Sequence, residues 1–142
     1  MNCLKFLVDD KRIDLYGFVI MSNHVHILWR KQDQWLDKNV QQHFSKFTAQ
    51  QIKFNLLATD PNELRNYKST QSDREYQFWE RRPFNATMNN RLILEQKLDY
   101  IHNNPVKAGL CLLAEDYHYS SASYYFNQVD KWEMITHYME HI

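Results

Sequence analysis

Two short apolar segments joined by a two-residue turn constrain the fold of this chain more than any other feature. Residues 15–21 (LYGFVIM) and 24–29 (HVHILW) are rich in β-branched and aromatic side chains, which are typical of strands. Ser22 and Asn23 lie between them and favour a turn. Because only two residues connect the segments, the sequence predicts an antiparallel β-hairpin.

Helical patterns lie on both sides of this hairpin. Residues 4–10 resemble the end of a short amphipathic helix. Apolar side chains recur at roughly helical spacing over residues 35–57, and we expect Pro61 and its neighbours to close this helix. Residues 91–104 predict another helix, which is expected to stop at Pro105.

The other segments complete an α+β pattern. Residues 75–79 predict a third short strand, and residues 62–73 and 85–90 predict loops before and after it. We expect an irregular tail that wraps over the core, with a last helix over residues 132–142. Residues 1–142 have the size of one domain, for which we expect a small antiparallel sheet with helices packed on one face.

Composition excludes several classes of protein. The chain is 44% hydrophobic, which excludes disorder as its main state. Cys3 and Cys111 cannot form a disulfide framework or a paired-cysteine zinc site, which fits a reducing cytoplasm. No run of 18 apolar residues is present, and the first residues are too short and too acidic for a signal peptide. We therefore expect a cytoplasmic protein without a membrane partner.

The distribution of charge allows a local phosphate-binding surface without requiring one. The whole chain has 17 basic and 17 acidic side chains. Residues 44–107 contain ten basic and seven acidic side chains, whereas residues 108–142 contain one and five. A basic middle and an acidic tail are compatible with nucleic-acid binding through one face. An ordinary surface of mixed charge explains the same distribution.

A pair of histidines gives the sharpest local motif. Side chains alternate across a strand, so His24 and His26 are expected on the same face of the hairpin. Two imidazoles separated by one residue can bind a metal ion together. Half-exposed histidines that bind nothing are also common in strands. Spacing selects none of the other histidines for a role, among them His43, His102 and His118.

The helix around Tyr100 carries a second candidate. Tyr100 and Asn104 are four residues apart, so they lie on one helix face together with Gln96. A tyrosine on a polar face can act as a nucleophile, and a nearby amide can coordinate a metal. Most tyrosines in helices are instead packing residues whose hydroxyl reaches the surface.

Basic and aromatic side chains alternate in a third segment. Such interleaving suits single-stranded nucleic acid, in which bases stack on aromatic rings and phosphates pair with arginine. A strand with aromatic residues in the core and solvated arginines fits the pattern equally well. The residues of this segment are Arg74, Tyr76, Phe78, Trp79, Arg81, Arg82 and Arg91. Lys46 and Lys53 are seven residues apart on one predicted helix face and are further candidates for phosphate contacts.

Four segments in the same order resemble one family. They are residues 16–28 (YGFVIMSNHVHIL), 76–80 (YQFWE), 97–110 (KLDYIHNNPVKAGL) and 119–122 (YSSA). Together they resemble the REP-associated tyrosine transposases, a group within the single-tyrosine HUH transposases. The resemblance extends over about residues 4–125.

This resemblance implies a specific chemistry. His24, His26 and Asn104 would bind a divalent ion, Mg²⁺ or Mn²⁺, and Tyr100 would be the nucleophile. The family cuts single-stranded DNA through a 5′-phosphotyrosine link, recognises DNA hairpins and commonly works as a dimer. Its fold is a ferredoxin/RRM-like α+β domain, here with residues 111–142 as a C-terminal extension. We expect DNA contacts from Lys46, Lys53, Arg74, Arg81, Arg82, Arg91 and Lys107.

The chain departs from the family pattern at its beginning. Only about fourteen residues precede the hairpin, so we expect the first strand of the family fold to be missing. Loss of a central strand exposes hydrogen-bonding groups at a sheet edge, so a chain extended upstream is expected to be more stable. Two alternatives therefore remain open, a DNA-binding remnant without turnover and an α+β scaffold with purely structural histidines.

Overall fold

The computed structural model describes residues 1–88 and 90–142, and these form an α+β fold, as expected. The predicted loop over residues 85–90 includes Asn89, which lies outside the described residues. The strands are β1 (Ile13–Ile20) and β2 (Val25–Lys31), and the helices are α1 (Asn2–Asp9), α2 (Val40–Thr59), α3 (Pro61–Leu64), α4 (Arg91–Lys107) and α5 (Ala122–Asn127). Short 3₁₀ turns lie at Asp33–Trp35, Arg65–Tyr67, Ala114–Asp116 and Tyr138–Glu140. No helix in the described residues is long and apolar enough to cross a lipid bilayer.

The predicted hairpin is confirmed, and it contains a β-bulge. β1 and β2 pair antiparallel, with Leu15 opposite Trp29. Gly17 lies two residues further along and pairs with Leu28, so Tyr16 is an extra residue in β1. An extra residue of this kind shifts the alternation of side chains along its strand. The bulge therefore decides which side chains of β1 reach each face of the sheet.

The expectation that helices cover one face of the sheet is wrong. Ile13, Leu15 and Phe18 of β1 pack against the buried side chains of α1 and α2. Tyr16 and Val19 pack on the other side, against α4. A strand that is buried on both faces reads as a continuous apolar run instead of an alternating one. Residues 15–21 have such a run, because they need apolar side chains toward both layers.

α2 begins later than its apolar spacing predicts. The Asn39 side chain accepts a hydrogen bond from the Gln42 N–H at 3.0 Å and caps the helix, which begins at Val40 instead of residue 35.

The expected loop over residues 62–73, after α2, is partly helical. Proline needs no hydrogen-bond partner for its nitrogen at the start of a helix, so Pro61 opens α3 after α2 has ended.

The third strand predicted over residues 75–79 is wrong. Tyr76 forms one isolated bridge with Lys68, and the segment has no other ladder pairing among the described residues. Besides the two backbone hydrogen bonds of this bridge, Trp79 holds the segment, since its indole N–H donates to the Thr48 hydroxyl at 2.9 Å and its ring packs against Phe44. The segment is rich in aromatic residues because they pack in this way, and the same residues are typical of strands.

α4 continues past Pro105, where the sequence predicted its end. A proline inside a helix removes one hydrogen bond, but Ala108 N–H still donates to the Asn104 carbonyl at 3.0 Å. The helix ends two residues after the proline, at Lys107. Gly109 follows with φ at +70°, a left-handed conformation that glycine adopts without a steric penalty.

The C-terminal segment covers the edge of β1 that β2 leaves free. The Ser121 N–H donates to the Phe18 carbonyl at 3.0 Å, and the Thr136 N–H donates to the Leu15 carbonyl at 2.9 Å. The predicted last helix over residues 132–142 is wrong, because only the turn at Tyr138–Glu140 is helical there. Part of this segment is extended along the edge of β1, where its backbone groups bond to the strand instead of to each other.

Candidate active site

Two histidines lie at the turn of the hairpin, His24 exposed and His26 half-buried. His24 lies just before β2, and His26 lies within it, opposite Val19 of β1. Their ring centroids are 5.1 Å apart, and the planes are nearly perpendicular. The prediction that both imidazoles lie on one side of the strand is confirmed by this contact.

α4 brings Tyr100 to the same place. The Tyr100 ring lies 5.8 Å from the His26 ring, edge to face, and its side chain is 47% exposed. Gly17 allows this approach, because a Cβ atom at that position would lie 2.5 Å from the Leu98 side chain of α4. The glycine therefore leaves room for the Leu98 side chain, which packs α4 against β1.

Four polar side chains follow one face of α4 at spacings of three, four and three residues. They are Lys97, Tyr100, Asn104 and Lys107. The ammonium nitrogens of Lys97 and Lys107 lie 5.6 and 5.3 Å from the Tyr100 ring centroid, which is within the range of cation–π contacts. Lys97 was missed by the sequence prediction. Its position three residues before Tyr100 was the available signal.

The electrostatics of the cluster favour a neutral imidazole at His26. Partial burial lowers the pKa of His26, and the neighbouring His24 and Lys97 lower this pKa further. A histidine binds metal through the lone pair of a neutral ring. The surroundings of His26 therefore hold it in the metal-binding form near neutral pH.

His24 is oriented by its neighbour in the turn. Its Nδ1 lies 2.7 Å from the Asn23 side-chain oxygen, which accepts a hydrogen bond. In a neutral ring Nδ1 then carries the proton, and Nε2 has a free lone pair. A partner that fixes one ring nitrogen while the other binds metal is the usual arrangement at metal sites.

The donor set fits a divalent ion if an amide completes it. Among residues 1–88 and 90–142, no group of three or more His, Cys, Asp or Glu side chains is arranged to hold a metal. A third ligand would therefore be of another type, and Asn104 lies one helical turn after Tyr100 on the same face. Two imidazoles and an amide oxygen match ions that accept nitrogen and oxygen ligands and leave positions open for substrate.

Four of the seven cations that were predicted to contact DNA form ion pairs with carboxylates. Arg74 and Arg81 both bind the Asp73 carboxylate, with nitrogen–oxygen distances of 2.9 and 3.2 Å. The other pairs are Lys53 with Glu75 at 3.2 Å and Arg91 with Glu95 at 2.8 Å. A carboxylate partner offsets the positive charge that would attract a phosphate.

Three predicted cations have no carboxylate partner within the described residues. Lys107 lies at Tyr100, and Arg82 is exposed in the segment after the predicted third strand. Lys46 lines a cleft between α1 and α2 together with Phe6 and Arg12. The structure thus brings Lys107 to the candidate site and puts Lys46 elsewhere.

The other three histidines singled out in the sequence have different surroundings. His43 packs against Trp35, and His118 packs between Tyr119 and Trp132. His102 is buried in α4, and burial lowers its pKa to about 4. None of these three rings contacts the cluster of His24, His26 and Tyr100 in the part of the chain that the structure describes.

Comparison with protein-family models, with curated proteins and with solved structures gave no match to this chain. The assignment of a function therefore depends on the geometry of the cluster and on the sequence motifs that carry it.

Proposed function

We propose that this protein is a metal-dependent transposase or nickase that cleaves and rejoins hairpin-containing single-stranded DNA through a tyrosine nucleophile. One observation carries the proposal, namely that His24, His26 and Tyr100 form one cluster at the surface with ring separations of 5.1 and 5.8 Å. Two separate motifs of the sequence contribute these residues, and both resemble motifs of the REP-associated tyrosine transposases. The proposed fold is accordingly a variant of the ferredoxin/RRM-like HUH domain.

The roles of the side chains follow from the chemistry of a phosphodiester. His24, His26 and Asn104 would hold a Mg²⁺ or Mn²⁺ ion. When bound, the ion withdraws charge from the phosphate and orients the leaving oxygen. Tyr100 then forms the Oη–P bond while the bond from phosphorus to the 3′ oxygen breaks. The phenolic proton passes to solvent, and the 3′ oxygen takes up a proton as it leaves.

The covalent intermediate allows the strand to be rejoined. The 5′-phosphotyrosine link conserves the energy of the broken phosphodiester, so attack by a 3′-hydroxyl reforms DNA without a nucleotide cofactor. Lys97 and Lys107 lie on either side of the reacting tyrosine in sequence and supply positive charge for the phosphate. We further propose DNA hairpins as the substrate, a homodimer as the working unit and the cytoplasm as its location.

A trapping experiment tests the nucleophile. The protein is incubated with a labelled pool of hairpin-rich single-stranded DNA and Mn²⁺, and denaturing gels report a covalent adduct. We expect the adduct in the wild type and its loss in Tyr100→Phe. Tyr119→Phe is the matched control, because Tyr119 is also 47% exposed and lies in the C-terminal segment. An adduct that survives in Tyr100→Phe contradicts the assignment of this tyrosine.

A binding experiment tests the metal site separately. Titration calorimetry with Mn²⁺ should detect one site that is lost in the His24→Ala/His26→Ala double variant. His43→Ala removes an exposed imidazole on α2 and should leave that site intact. Binding of Mn²⁺ and DNA without any adduct would favour a DNA-binding remnant. Equal Mn²⁺ binding by all three proteins would favour structural histidines.

A further inference from the structure

A buried polar contact joins α4, β1 and the C-terminal segment. His102 of α4 lies with its Nε2 atom 2.8 Å from the Ser121 hydroxyl oxygen, and both residues are buried. The same oxygen accepts a hydrogen bond from the Phe18 N–H at 2.9 Å and donates to the Phe18 carbonyl at 3.2 Å. Three elements that are distant in sequence therefore meet at one hydroxyl group.

One tautomer of His102 satisfies every contact of the Ser121 hydroxyl. The hydroxyl of Ser121 has a single hydrogen, which the Phe18 carbonyl accepts. In this arrangement Nε2 of His102 donates to the hydroxyl oxygen, and its Nδ1 carries no proton. All three contacts of Ser121 are satisfied in this tautomer.

His102 cannot contact a substrate. Only 2% of it is exposed, and its ring packs against those of Tyr125 and Phe126. An apolar side chain of similar size would fill the same space without the desolvation of a polar ring. The imidazole therefore differs from an apolar side chain in one respect, which is that it forms a directional hydrogen bond.

The hydrogen bond of His102 restrains the rotation of α4 in a way that apolar packing does not. The other buried positions of the helix are apolar, namely Leu94, Leu98, Ile101 and Pro105. Apolar contacts are not directional and tolerate small rotations of a helix, whereas a buried hydrogen bond weakens steeply when its angle changes. The bond from His102 to Ser121 therefore fixes the rotation of α4 about its own axis.

This rotation sets the direction of Tyr100. His102 lies two residues after Tyr100, so the two side chains leave the helix on nearly opposite sides. At the other end of the contact, Phe18 is followed by Val19, which pairs with His26 across the hairpin. Tyr100 and His26 are thus connected through three buried residues, His102, Ser121 and Phe18.

We propose that His102 is a positioning residue that holds Tyr100 against His26 through its hydrogen bond to Ser121. This role rests on the proposed function, in which the contact between the His26 and Tyr100 rings places the nucleophile at the metal site. The ring contact itself, at 5.8 Å, can be measured without DNA or metal.

Two variants separate the hydrogen bond from the space that the ring fills. His102→Leu keeps an apolar side chain of comparable size and removes the donor. His102→Gln keeps an N–H donor at about the reach of Nε2. Ser121 retains both contacts with Phe18 in each variant, so the edge of β1 remains paired.

The readout is the proton–proton Overhauser effect between the His26 and Tyr100 rings in metal-free, DNA-free protein. We expect the cross-peak to be lost in His102→Leu and retained in His102→Gln. Ile101→Val is the control for loss of packing on the same helix and should retain it. Ser121→Ala removes the acceptor and gives a second test if His102→Leu does not fold. A cross-peak of wild-type intensity in the folded His102→Leu or Ser121→Ala variant overturns the proposal.

The trapping experiment then measures the consequence for chemistry. A misplacement of about 1 Å can lower a rate ~10²-fold, so we expect adduct formation in His102→Leu to slow by about tenfold or more. His102→Gln should recover most of the rate. Absence of an adduct in every protein, with the ring contact behaving as expected, would count against the proposed function and support the positioning role.

Discussion

The two faces of α4 show how one helix separates packing from chemistry. Its buried face packs on β1 and consists of Leu94, Leu98, Ile101, His102 and Pro105. Its polar face carries Lys97, Tyr100, Asn104 and Lys107 beside the histidine pair. The first set determines where the helix lies, and the second is free to meet a ligand. Substitutions on the two faces should therefore change different measurements.

The largest effect is expected from Leu98→Ala on the buried face. Leu98 is 3% exposed, and its side chain packs in the space that Gly17 leaves open. Truncation of a buried leucine leaves a cavity and lowers the free energy of unfolding by about 2–5 kcal/mol. Leu92→Ala is the matched control, since Leu92 is on the same helix and 61% exposed, and should change it by less than about 0.5 kcal/mol. If urea unfolding shows a similar loss of free energy in both variants, the two faces do not differ in their contribution to stability.

A pH dependence of stability should also come from the buried face. Burial lowers the pKa of His102 from 6.5 to about 4, so the unfolded chain binds more protons between these values. Stability contributed by the neutral ring is present above pH 6.5 and is lost as pH falls toward 4. At about 1.36 kcal/mol per pKa unit, the loss is about 3 kcal/mol.

Comparison with His102→Leu isolates this effect from the titration of carboxylates. Urea unfolding at pH 7 and pH 4.5 gives a loss of stability for each protein. The wild type should lose more than the variant by roughly 2–3 kcal/mol. Equal losses would mean that the neutral state of His102 does not contribute to stability in this pH range.

The sequence predicted the fold best where one local rule decided the outcome. A two-residue turn between apolar runs gave the hairpin, and helical spacing gave α4. Prediction failed where tertiary contacts overrode local preference. Residues 75–79 pack through Trp79 against Phe44 instead of pairing as a strand. Pro105 lies within α4 because the hydrogen bonds that follow it continue the last turn.

The candidate site was predictable only in part, for a related reason. Period-two alternation was enough to bring His24 and His26 together. Their approach to Tyr100 depends on Gly17 and on packing between distant segments, which spacing cannot specify. Only the family resemblance linked the three residues beforehand. The ion pairs of Arg74 and Arg81 likewise depend on how one loop folds around Asp73.

On the polar face, the expected effect is on DNA binding instead of stability. Lys97→Gln/Lys107→Gln removes both cations next to Tyr100. If each contacts one phosphate, the slope of log affinity against log salt should fall by about 1.4 for single-stranded DNA, and affinity should fall about tenfold or more at 0.1 M salt. Thermal stability should stay within about 0.5 kcal/mol of the wild type.

A second double variant controls for the change in net charge. Lys11→Gln/Lys38→Gln removes two exposed lysines near the end of the hairpin that is remote from the His24 turn. Fluorescence anisotropy with a labelled hairpin oligonucleotide should show a salt slope close to that of the wild type. Equal slopes for the two double variants would mean that the polar face of α4 is not a specific phosphate site.

The smallest effect should have the opposite sign and come from a region where cations are already paired. The Arg74 hydrogen bond, together with the charges of Arg74 and Arg81, lowers the pKa of Asp73, so this carboxylate stays ionised and holds both guanidinium groups. Asp73→Asn releases them, and we expect affinity for single-stranded DNA to rise by roughly twofold to fivefold at low salt. Asp37→Asn makes the same change in net charge at an exposed carboxylate that forms no ion pair with a described residue, and should raise affinity less. If both variants bind equally, net charge alone explains the gain. If Asp73→Asn stands out, pairing with acidic neighbours is what distinguishes the arginines of this loop from the lysines beside Tyr100.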